Sequence, residues 1–405
     1  MTRPARRVVI IGPGKVGCGY LAPMFLRAGW ETVLATHSPA RLSRIERAGG
    51  FTVRMGGSAE DFALRQSPVV VGTEPFRKAV RRADLVVTAV GRENVCGLGP
   101  PLAHALARRR SPLDVWVVEN ADCAPMLEHA ARGEAARSGI ALPAVAFAGG
   151  IAIPVVARGC WGDTGRPEFV RDTTDGLLID GRAILNPVPL LPGVRATSRY
   201  RERLREKLFV FNAGHALFAY LGAHCEYARI DEAARDPLLR TLVEGCLLET
   251  RRAVIQAHRG LGNAVIGPVA QAMRRYEDVE LADTIRRVAR RPIRKLDPDG
   301  PLVGAAELVC NTFGRVPVPF VLAIASALLH SDRSDPEVRR LAGMLRRNGI
   351  QSVLLDVCGL APDNPLTCGV VLTYRRLRLG QKVAGRAAVT FPALPPRVAV
   401  QAAAS

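Results

Sequence analysis

Short apolar runs separated by amphipathic segments dominate the N-terminal part of the chain. Arg7 to Ile11 is a β-branched run, and Tyr20 to Ala28 follows it with apolar residues at helical spacing. Further runs typical of buried strands lie at Glu31 to Ala35, Phe51 to Arg54, Asp84 to Val90 and Val115 to Val118. Strands that alternate with helical patterns indicate βαβ units, so this part predicts a parallel sheet with right-handed crossovers.

The pattern changes at Ser198, after which strand-like runs almost disappear. Long amphipathic segments replace them at Arg201 to Gly222, Leu238 to His258, Asp335 to Arg347 and Pro365 to Leu379. The Pro-rich stretch Asn186 to Gly193 separates the two patterns, and proline disfavours helix in the residue before it. We therefore predict an α/β Rossmann-type domain at 1–193, an all-α catalytic and substrate domain at 194–387 and a tail without periodicity at 388–405.

A glycine-rich turn follows the first predicted strand. In Gly12-x-Gly14-x-x-Gly17 the first glycine permits a tight turn, the second lets the backbone approach a pyrophosphate, and the third allows close helix packing. The helix N-terminus then offers amides and a favourable dipole to phosphate. This context predicts a dinucleotide-binding site. Its expected residues are Gly12, Gly14, Lys15, Val16, Gly17, Thr36, His37, Arg41, Ala89, Val90 and Gly91.

The end of the second predicted strand bears on the choice of cofactor. An acidic side chain there would bind the ribose 2′-hydroxyl and repel a 2′-phosphate. This chain has Thr36-His37-Ser38 instead, with Arg41 close behind. One interpretation is tolerance of, or preference for, NADP. The other is that Thr36 or Ser38 binds the ribose of NAD while Arg41 faces solvent. The sequence is therefore compatible with either NAD or NADP as cofactor.

Three polar residues occupy an otherwise apolar helical segment: Lys207, Asn212 and His215. On an α-helix advancing about 100° per residue, Asn212 lies about 140° and His215 about 80° from Lys207, so we expect the three polar groups to share one face of the segment. A core helix has no reason to bury unpaired polar groups. Oxidation of an alcohol without a metal needs a base for the hydroxyl proton and donors for the developing oxyanion. A lysine whose pKa is lowered by burial can be that base, while Asn212 donates to the oxygen and His215 orients it.

This segment resembles the Lys-x-x-x-x-Asn-x-x-His signature of the polyol-specific long-chain dehydrogenases. Its continuation through Tyr220-Leu-Gly222 resembles their mannitol-phosphate branch, as do Asp84 to Gly91, Glu119-Asn120 and Arg287 to Leu296, and the resemblance covers residues 7–380. It implies a Rossmann-type domain followed by a helical domain, and zinc-independent chemistry with Lys207 as acid/base. It also implies that Asn120 and Asn212 polarise the reacting oxygen, that NAD is the usual cofactor, and that mannitol 1-phosphate and fructose 6-phosphate are the default substrates.

Two positions depart from the pattern of this family. Thr36 replaces the acidic residue that the mannitol-phosphate branch usually carries after its second strand. The Asp-Arg-hydrophobic-Val-Pro pattern becomes Gly150-Ile-Ala-Ile-Pro154, without the charged pair near the active site. An alternative hypothesis is therefore the same hydride transfer on a different hydroxylated or keto substrate in a specialised biosynthetic pathway.

Basic residues near Pro292 are candidates for binding a substrate phosphate. Arg294 and Lys295 lie there, and an arginine fork and an ammonium both suit a dianion. The alternative is a basic helix terminus that faces water. Arg275 is a weaker candidate for the same role.

The net charge of +19 raises the possibility of nucleic-acid binding. The arginines, however, are spread from end to end, so we expect a small-molecule partner, a sugar or sugar phosphate, and no nucleic acid. A further alternative is a regulator that binds a dinucleotide without catalysing a reaction. The presence of all three residues Lys207, Asn212 and His215 argues against this alternative.

The nine cysteines are scattered without a C-x-x-C motif or a histidine at metal-ligand spacing. We interpret them as free thiols and predict no metal site. No run of about 18 uncharged apolar residues occurs, and the N-terminus leads directly into a strand rather than a signal core. These features predict a cytoplasmic protein without a membrane partner.

Overall fold

The computed structural model describes residues 5–163, 165–258 and 267–380. The chain divides into two units, Met1–Leu204 and Arg205–Ser405. The predicted tail at 388–405, and the end of the predicted second domain up to 387, lie outside the described residues.

The first unit alternates strands and helices. Its strands are β1 (Arg7–Ile11), β2 (Glu31–Thr36), β3 (Gly50–Met55), β4 (Ser58–Ala63), β5 (Val69–Val70), β6 (Leu85–Thr88), β7 (Leu113–Val118), β8 (Val145–Ala152), β9 (Val156–Arg158), β10 (Glu168–Arg171), β11 (Leu177–Asp180) and β12 (Val194–Thr197). Its helices are α1 (Ala22–Arg27), α2 (Pro39–Ala48), α3 (Glu74–Arg82), α4 (Arg92–Val95), α5 (Gly99–Leu106) and α6 (Ala124–Arg137), with a π-helical turn at Gly17–Leu21 and a 3-10 turn at Cys96–Leu98.

Among the described residues, eight strands form the main sheet in the order β12-β11-β8-β7-β6-β1-β2-β5. Neighbouring strands are parallel except β11 and β8. Val8 and Ile10 of β1 belong to one core cluster, while Val9 and Ile11 belong to another. Both faces of the sheet are therefore covered, which explains why its central strands are continuous apolar runs. The predicted Rossmann-type sheet is confirmed.

The central strand β1 lies between β2 and β6. Because the chain leaves β1 toward one side for β2 and returns on the other side as β6, the carboxyl end of β1 is a topological switch point. Ligands of open α/β sheets bind at such points. The glycine turn after Ile11 begins there.

The strand predicted at Phe51 to Arg54 does not join the main sheet, which corrects that expectation. It forms β3 of a second sheet in the order β4-β3-β10-β9. Gly56 and Gly57, with φ of 54° and 76°, turn the chain directly back into β4. The two strands therefore form an antiparallel hairpin instead of a βαβ unit.

The predicted domain boundary at 193 lies before the last strand of the main sheet. β12 pairs in parallel with β11 after that point. The Pro-rich stretch predicted as a linker is attached to β7, since the Asp114 carboxylate accepts hydrogen bonds from the backbone amides of Leu185 and Asn186, at 2.7 and 3.0 Å. The first unit accordingly extends to Leu204.

The second unit is built from helices, as predicted. Following α7 (Tyr200–Glu206) and a π-helical turn (Lys207–Asn212), these are α8 (Ala213–His224), α9 (Ile230–Arg235), α10 (Pro237–Ala257), α11 (Val269–Tyr276), α12 (Ile285–Val288), α13 (Pro292–Leu296), α14 (Val303–Phe313), α15 (Val318–Leu329), α16 (Pro336–Cys358) and α17 (Pro365–Gly380). The apolar helix α8 packs against α10, α12 and α15. A helix that is apolar on all sides is stable only in a core, so the residues at the start of α8 are held rigidly.

Within the described ranges, none of the helices combines the length and the apolar character needed to cross a membrane.

The contact between Gly149 and Tyr200 gives a test of packing in the first unit. A Cβ at Gly149 would lie 2.2 Å from Cζ of Tyr200. We expect Gly149→Ala to lower the free energy of unfolding by about 1–3 kcal/mol, because overpacking forces the ring to move. Gly133→Ala is the control, since a Cβ there meets nothing within 4 Å and alanine favours the helix. Equal urea midpoints for the two variants would contradict the prediction.

Candidate functional site

The three glycines of the turn after β1 have different surroundings. Gly12 has φ of 101°, and a Cβ on it would lie 2.4 Å from the carbonyl oxygen of Ala89. A Cβ on Gly17 would lie 2.1 Å from the carbonyl oxygen of Gly12. A Cβ on Gly14 would meet nothing within 4 Å. The first and third glycines are therefore needed for packing of the chain, and the second leaves open space beside the backbone.

The helix after this turn starts earlier than the predicted Tyr20 and passes through the π turn at Gly17–Leu21. The Lys15 ammonium donates to the carbonyl oxygen of Ala157 at 2.6 Å. The Trp161 indole Nε1 donates to the carbonyl oxygen of Pro13 at 2.7 Å. Segments distant in sequence thus hold the turn, and no sequence signal pointed to Trp161.

A second turn, at the carboxyl end of β6, is held by Glu119. Its Oε1 accepts hydrogen bonds from the backbone amides of Val90 and Gly91, at 2.7 and 3.0 Å. Glu119 therefore links the ends of β6 and β7 at the edge where Ala89, Val90 and Gly91 were predicted to bind cofactor. Sequence reasoning missed this role, although a carboxylate directly after a buried strand was an available signal.

The end of β2 carries hydroxyl groups and no carboxylate before α2 begins. Thr36 Oγ1 accepts from the backbone amide of Ser38, and Ser38 Oγ caps α2 by accepting from the amide of Arg41, both at 3.2 Å. Arg41 itself is exposed. Partial burial lowers the pKa of the neighbouring His37. No acidic group at this position would oppose a 2′-phosphate.

The predicted catalytic segment is a π-helical turn rather than an α-helix. The backbone amide of Ala213 donates to the carbonyl of Leu208, five residues earlier. Hydrogen bonds between residues five apart place such residues one turn above each other. Lys207 and Asn212 are five apart, so they lie closer to one side of the helix than the angle of about 140° that applies to an α-helix, and the expected shared face lies on a π turn.

His215 follows Asn212 by three residues on α8, so it continues the same face. The Lys207 side chain is buried, with 8% of the residue exposed. The structure therefore brings Lys207, Asn212 and His215 together along one face. π turns occur frequently at functional sites.

Tyr276, the last residue of α11, stabilises the π turn that contains Lys207 and Asn212. The Tyr276 hydroxyl donates to the carbonyl oxygen of Phe211 at 2.7 Å. A Cβ on Gly214 would lie 2.6 Å from that hydroxyl oxygen, so only glycine lets the ring approach. Sequence reasoning missed Tyr276, because the two segments are far apart in the chain.

The His215 ring is in contact with an acidic residue. Its Nε2 lies 3.1 Å from Oδ2 of Asp283, and its ring centroid lies 5.4 Å from that of Tyr276. Arg287, one helical turn after Asp283, contacts both carboxylate oxygens. Asp283 was also missed, since nothing in its local pattern distinguishes it from a surface aspartate.

The predicted phosphate-binding residues occupy two places. Arg294 and Lys295 lie on the short helix α13. The Lys295 ammonium donates to the carbonyl of Arg290 and lies 5.9 Å from the Tyr220 ring centroid, and burial lowers the pKa of Lys295 to about 7. The Arg275 guanidinium lies 5.3 Å from the ring centroid of Phe211, which belongs to the π turn.

In the described part of the chain, no group of three or more His, Cys, Asp and Glu side chains could hold a metal ion. All nine cysteines lie in the described residues, and no disulfide bond joins any two of them there.

Several known proteins are similar to this chain over most of its length. Residues 198–342 match the family model of the mannitol dehydrogenase C-terminal domain. A mannitol-1-phosphate 5-dehydrogenase of Bacillus licheniformis is 30% identical over 378 residues, which cover 88% of this chain and 96% of that protein. A protein of the same name from Geobacillus thermodenitrificans is 27% identical over 391 residues, with coverage of 93% and 100%.

Among solved structures, the ternary complex of Pseudomonas fluorescens mannitol 2-dehydrogenase with NAD and D-mannitol is similar in fold. Its TM-score is 0.70 at 15% identity, and the match covers 92% of each chain. At this identity the likeness concerns the fold.

Proposed function

Because the chain is a polyol dehydrogenase of the mannitol-1-phosphate 5-dehydrogenase family, we propose that it interconverts mannitol 1-phosphate and fructose 6-phosphate, with a nicotinamide dinucleotide as cofactor. The observation that carries this proposal is the single face formed by Lys207, Asn212 and His215. Family membership favours an enzyme over the alternative of a non-catalytic regulator.

The proposed roles follow from the chemistry of each side chain. Lys207 accepts the hydroxyl proton during polyol oxidation and returns it during ketose reduction. The Asn212 amide donates to the oxygen as negative charge develops on it. The family resemblance implies the same role for Asn120. His215 orients the substrate that carries this oxygen. This set can supply both the base for the proton and the donors that stabilise the oxyanion, the second of which is the role of a Lewis-acidic metal ion in metal-dependent enzymes.

The first unit is proposed to hold the cofactor, which supplies or accepts the hydride when bound. The surroundings of its glycines fit such a ligand, since the open space beside Gly14 allows a pyrophosphate to approach the backbone. The absence of an acidic residue after β2 supports tolerance of NADP as well as NAD, with Arg41 near the extra phosphate. The alternative is NAD alone, bound through Thr36 or Ser38.

A different hydroxylated or keto substrate is the second candidate, with the same chemistry. It is favoured by the departure at Gly150 to Pro154. This segment runs from the end of β8 into a turn, where the amide of Ile153 donates to the carbonyl of Gly176 at 2.9 Å. A spectrophotometric screen of sugar phosphates and free ketoses with each cofactor discriminates the two.

Gly14→Ala tests the cofactor site. We expect unchanged thermal stability, because the added Cβ meets no protein atom within 4 Å, but dissociation constants for NADH and NADPH at least about tenfold higher, because the methyl group occupies the ligand space. Fluorescence titration with both cofactors measures this. Unchanged affinities would contradict the site, and binding of NADH alone by the wild-type protein would contradict tolerance of NADP.

Lys207→Ala tests the acid/base assignment. Turnover should fall by at least about 10²-fold, because a general acid/base group typically contributes that much or more, while the affinity for cofactor stays unchanged. Steady-state kinetics with fructose 6-phosphate and fluorescence titration measure the two quantities. A variant that retains more than a tenth of the activity would show that Lys207 is not the base.

Arg294→Gln tests the phosphate subsite, for which Arg294, Lys295 and the weaker candidate Arg275 are proposed. Loss of a charge-assisted contact should raise KM for fructose 6-phosphate by at least about tenfold, with KM for unphosphorylated fructose changed less than about twofold. Arg275→Gln is measured beside it. Equal effects of Arg294→Gln on the two sugars would assign Arg294 a role other than phosphate binding.

A further inference from the structure

Asp283 is a buried carboxylate next to a catalytic candidate. It lies directly before α12 in the second unit, with only 4% of the residue exposed. Its Oδ2 is 3.1 Å from Nε2 of His215, and Arg287 holds both of its oxygens. The three residues form a chain of contacts that ends at His215 on the face shared with Lys207 and Asn212.

The charge state of Asp283 determines which nitrogen of His215 carries a proton. Burial would raise the pKa of Asp283, but hydrogen bonds from Arg287 and His215 outweigh this effect and hold that pKa well below its usual range. The carboxylate is therefore ionised and can only accept hydrogen bonds. Nε2 of His215 must be the donor, so in the neutral ring Nδ1 has a lone pair and acts as an acceptor.

The orientation of the His215 ring is also restricted by Tyr276. The Tyr276 ring lies 5.4 Å from His215, centroid to centroid. That tyrosine is itself fixed, because its hydroxyl binds the carbonyl of Phe211 within the π turn. The same tyrosine thus contacts the backbone that positions Asn212 and the ring that follows it.

We propose that Asp283, held by Arg287, is a positioning residue that fixes His215 with Nε2 bound to protein and Nδ1 available to accept a hydrogen bond from a substrate hydroxyl. This inference rests on the proposed function. An acceptor Nδ1 on His215 binds a substrate only through a group that donates a hydrogen bond. The site would therefore favour the polyol over analogues that lack the hydroxyl at that position.

Asp283→Asn is the direct test. The asparagine amide can either accept from Nε2–H or donate to an unprotonated Nε2, so the Nε2-H form is no longer enforced. We expect kcat/KM for mannitol 1-phosphate to fall at least about tenfold, because the carboxylate that orients a catalytic histidine typically matters by that much or more, with cofactor affinity unchanged. In ¹⁵N NMR spectra, the Nε2-H signature of His215 should give way to a mixture of tautomers. The chain has seven histidines, so the His215 signals are assigned from their loss in His215→Asn.

The matched control is Asp332→Asn. Asp332 pairs at 3.0 Å with Arg286, the neighbour of Arg287 on α12. Its replacement should leave the kinetics and the His215 tautomer as in the wild-type protein. If Asp283→Asn does not fold because Arg287 is left unpaired, the double variant Asp283→Asn/Arg287→Gln removes both charges and is measured instead.

Two results would overturn the inference. One is a His215 ring that keeps the Nε2-H form without the carboxylate. The other is a kcat/KM within twofold of the Asp332→Asn control. Failure of the proposed function is a separate outcome, because wild-type protein would then turn over neither mannitol 1-phosphate nor fructose 6-phosphate, while the NMR spectra would still report on the contact between Asp283 and His215.

Discussion

Backbone hydrogen bonds that span five residues hold Lys207 and Asn212 on one side of their helix. An ordinary α-helix would turn Asn212 about 140° away from the lysine. The wider turn is less favourable by itself, and contacts within the second unit offset its cost. Tyr276 binds the carbonyl of Phe211 at 2.7 Å, while Phe209 packs closely against Gly304. The chemistry proposed for the face therefore depends on packing of the surrounding helices.

In the first unit, glycines provide the local backbone geometry on which the proposed cofactor site depends. Burial of β1 on both faces leaves its carboxyl end as the place where backbone amides can meet a ligand. Gly12 and Gly17 are needed for the chain to pack at all, whereas Gly14 leaves space. Glu119 then holds the neighbouring turn through two backbone amides. The first unit thus has the glycine geometry that the proposed dinucleotide site requires, and the second carries the amine, amide and imidazole that we propose for the chemistry.

Much of this arrangement was predictable from local patterns. The buried strands β1, β2, β6 and β7 are apolar runs, and the trio around Lys207 is unusual for a core segment. What local patterns could not predict depends on contacts distant in the chain. The placement of β3 depends on a glycine hairpin and on pairing with β10. The π turn has no periodic signal of its own, and Asp283 becomes distinctive only where the fold brings it to His215. The extension of the first unit beyond 193 likewise follows from pairing of β12 with β11.

The central claim is that an amine on a π turn, rather than a bound metal ion, performs the acid/base chemistry. The most direct measurement is the turnover of fructose 6-phosphate with NADH after exhaustive dialysis against EDTA, with the metal content of the same sample determined by mass spectrometry. The account predicts full turnover in protein free of metal. Turnover that falls in proportion to the metal removed, and returns when Zn²⁺ is added, would contradict it.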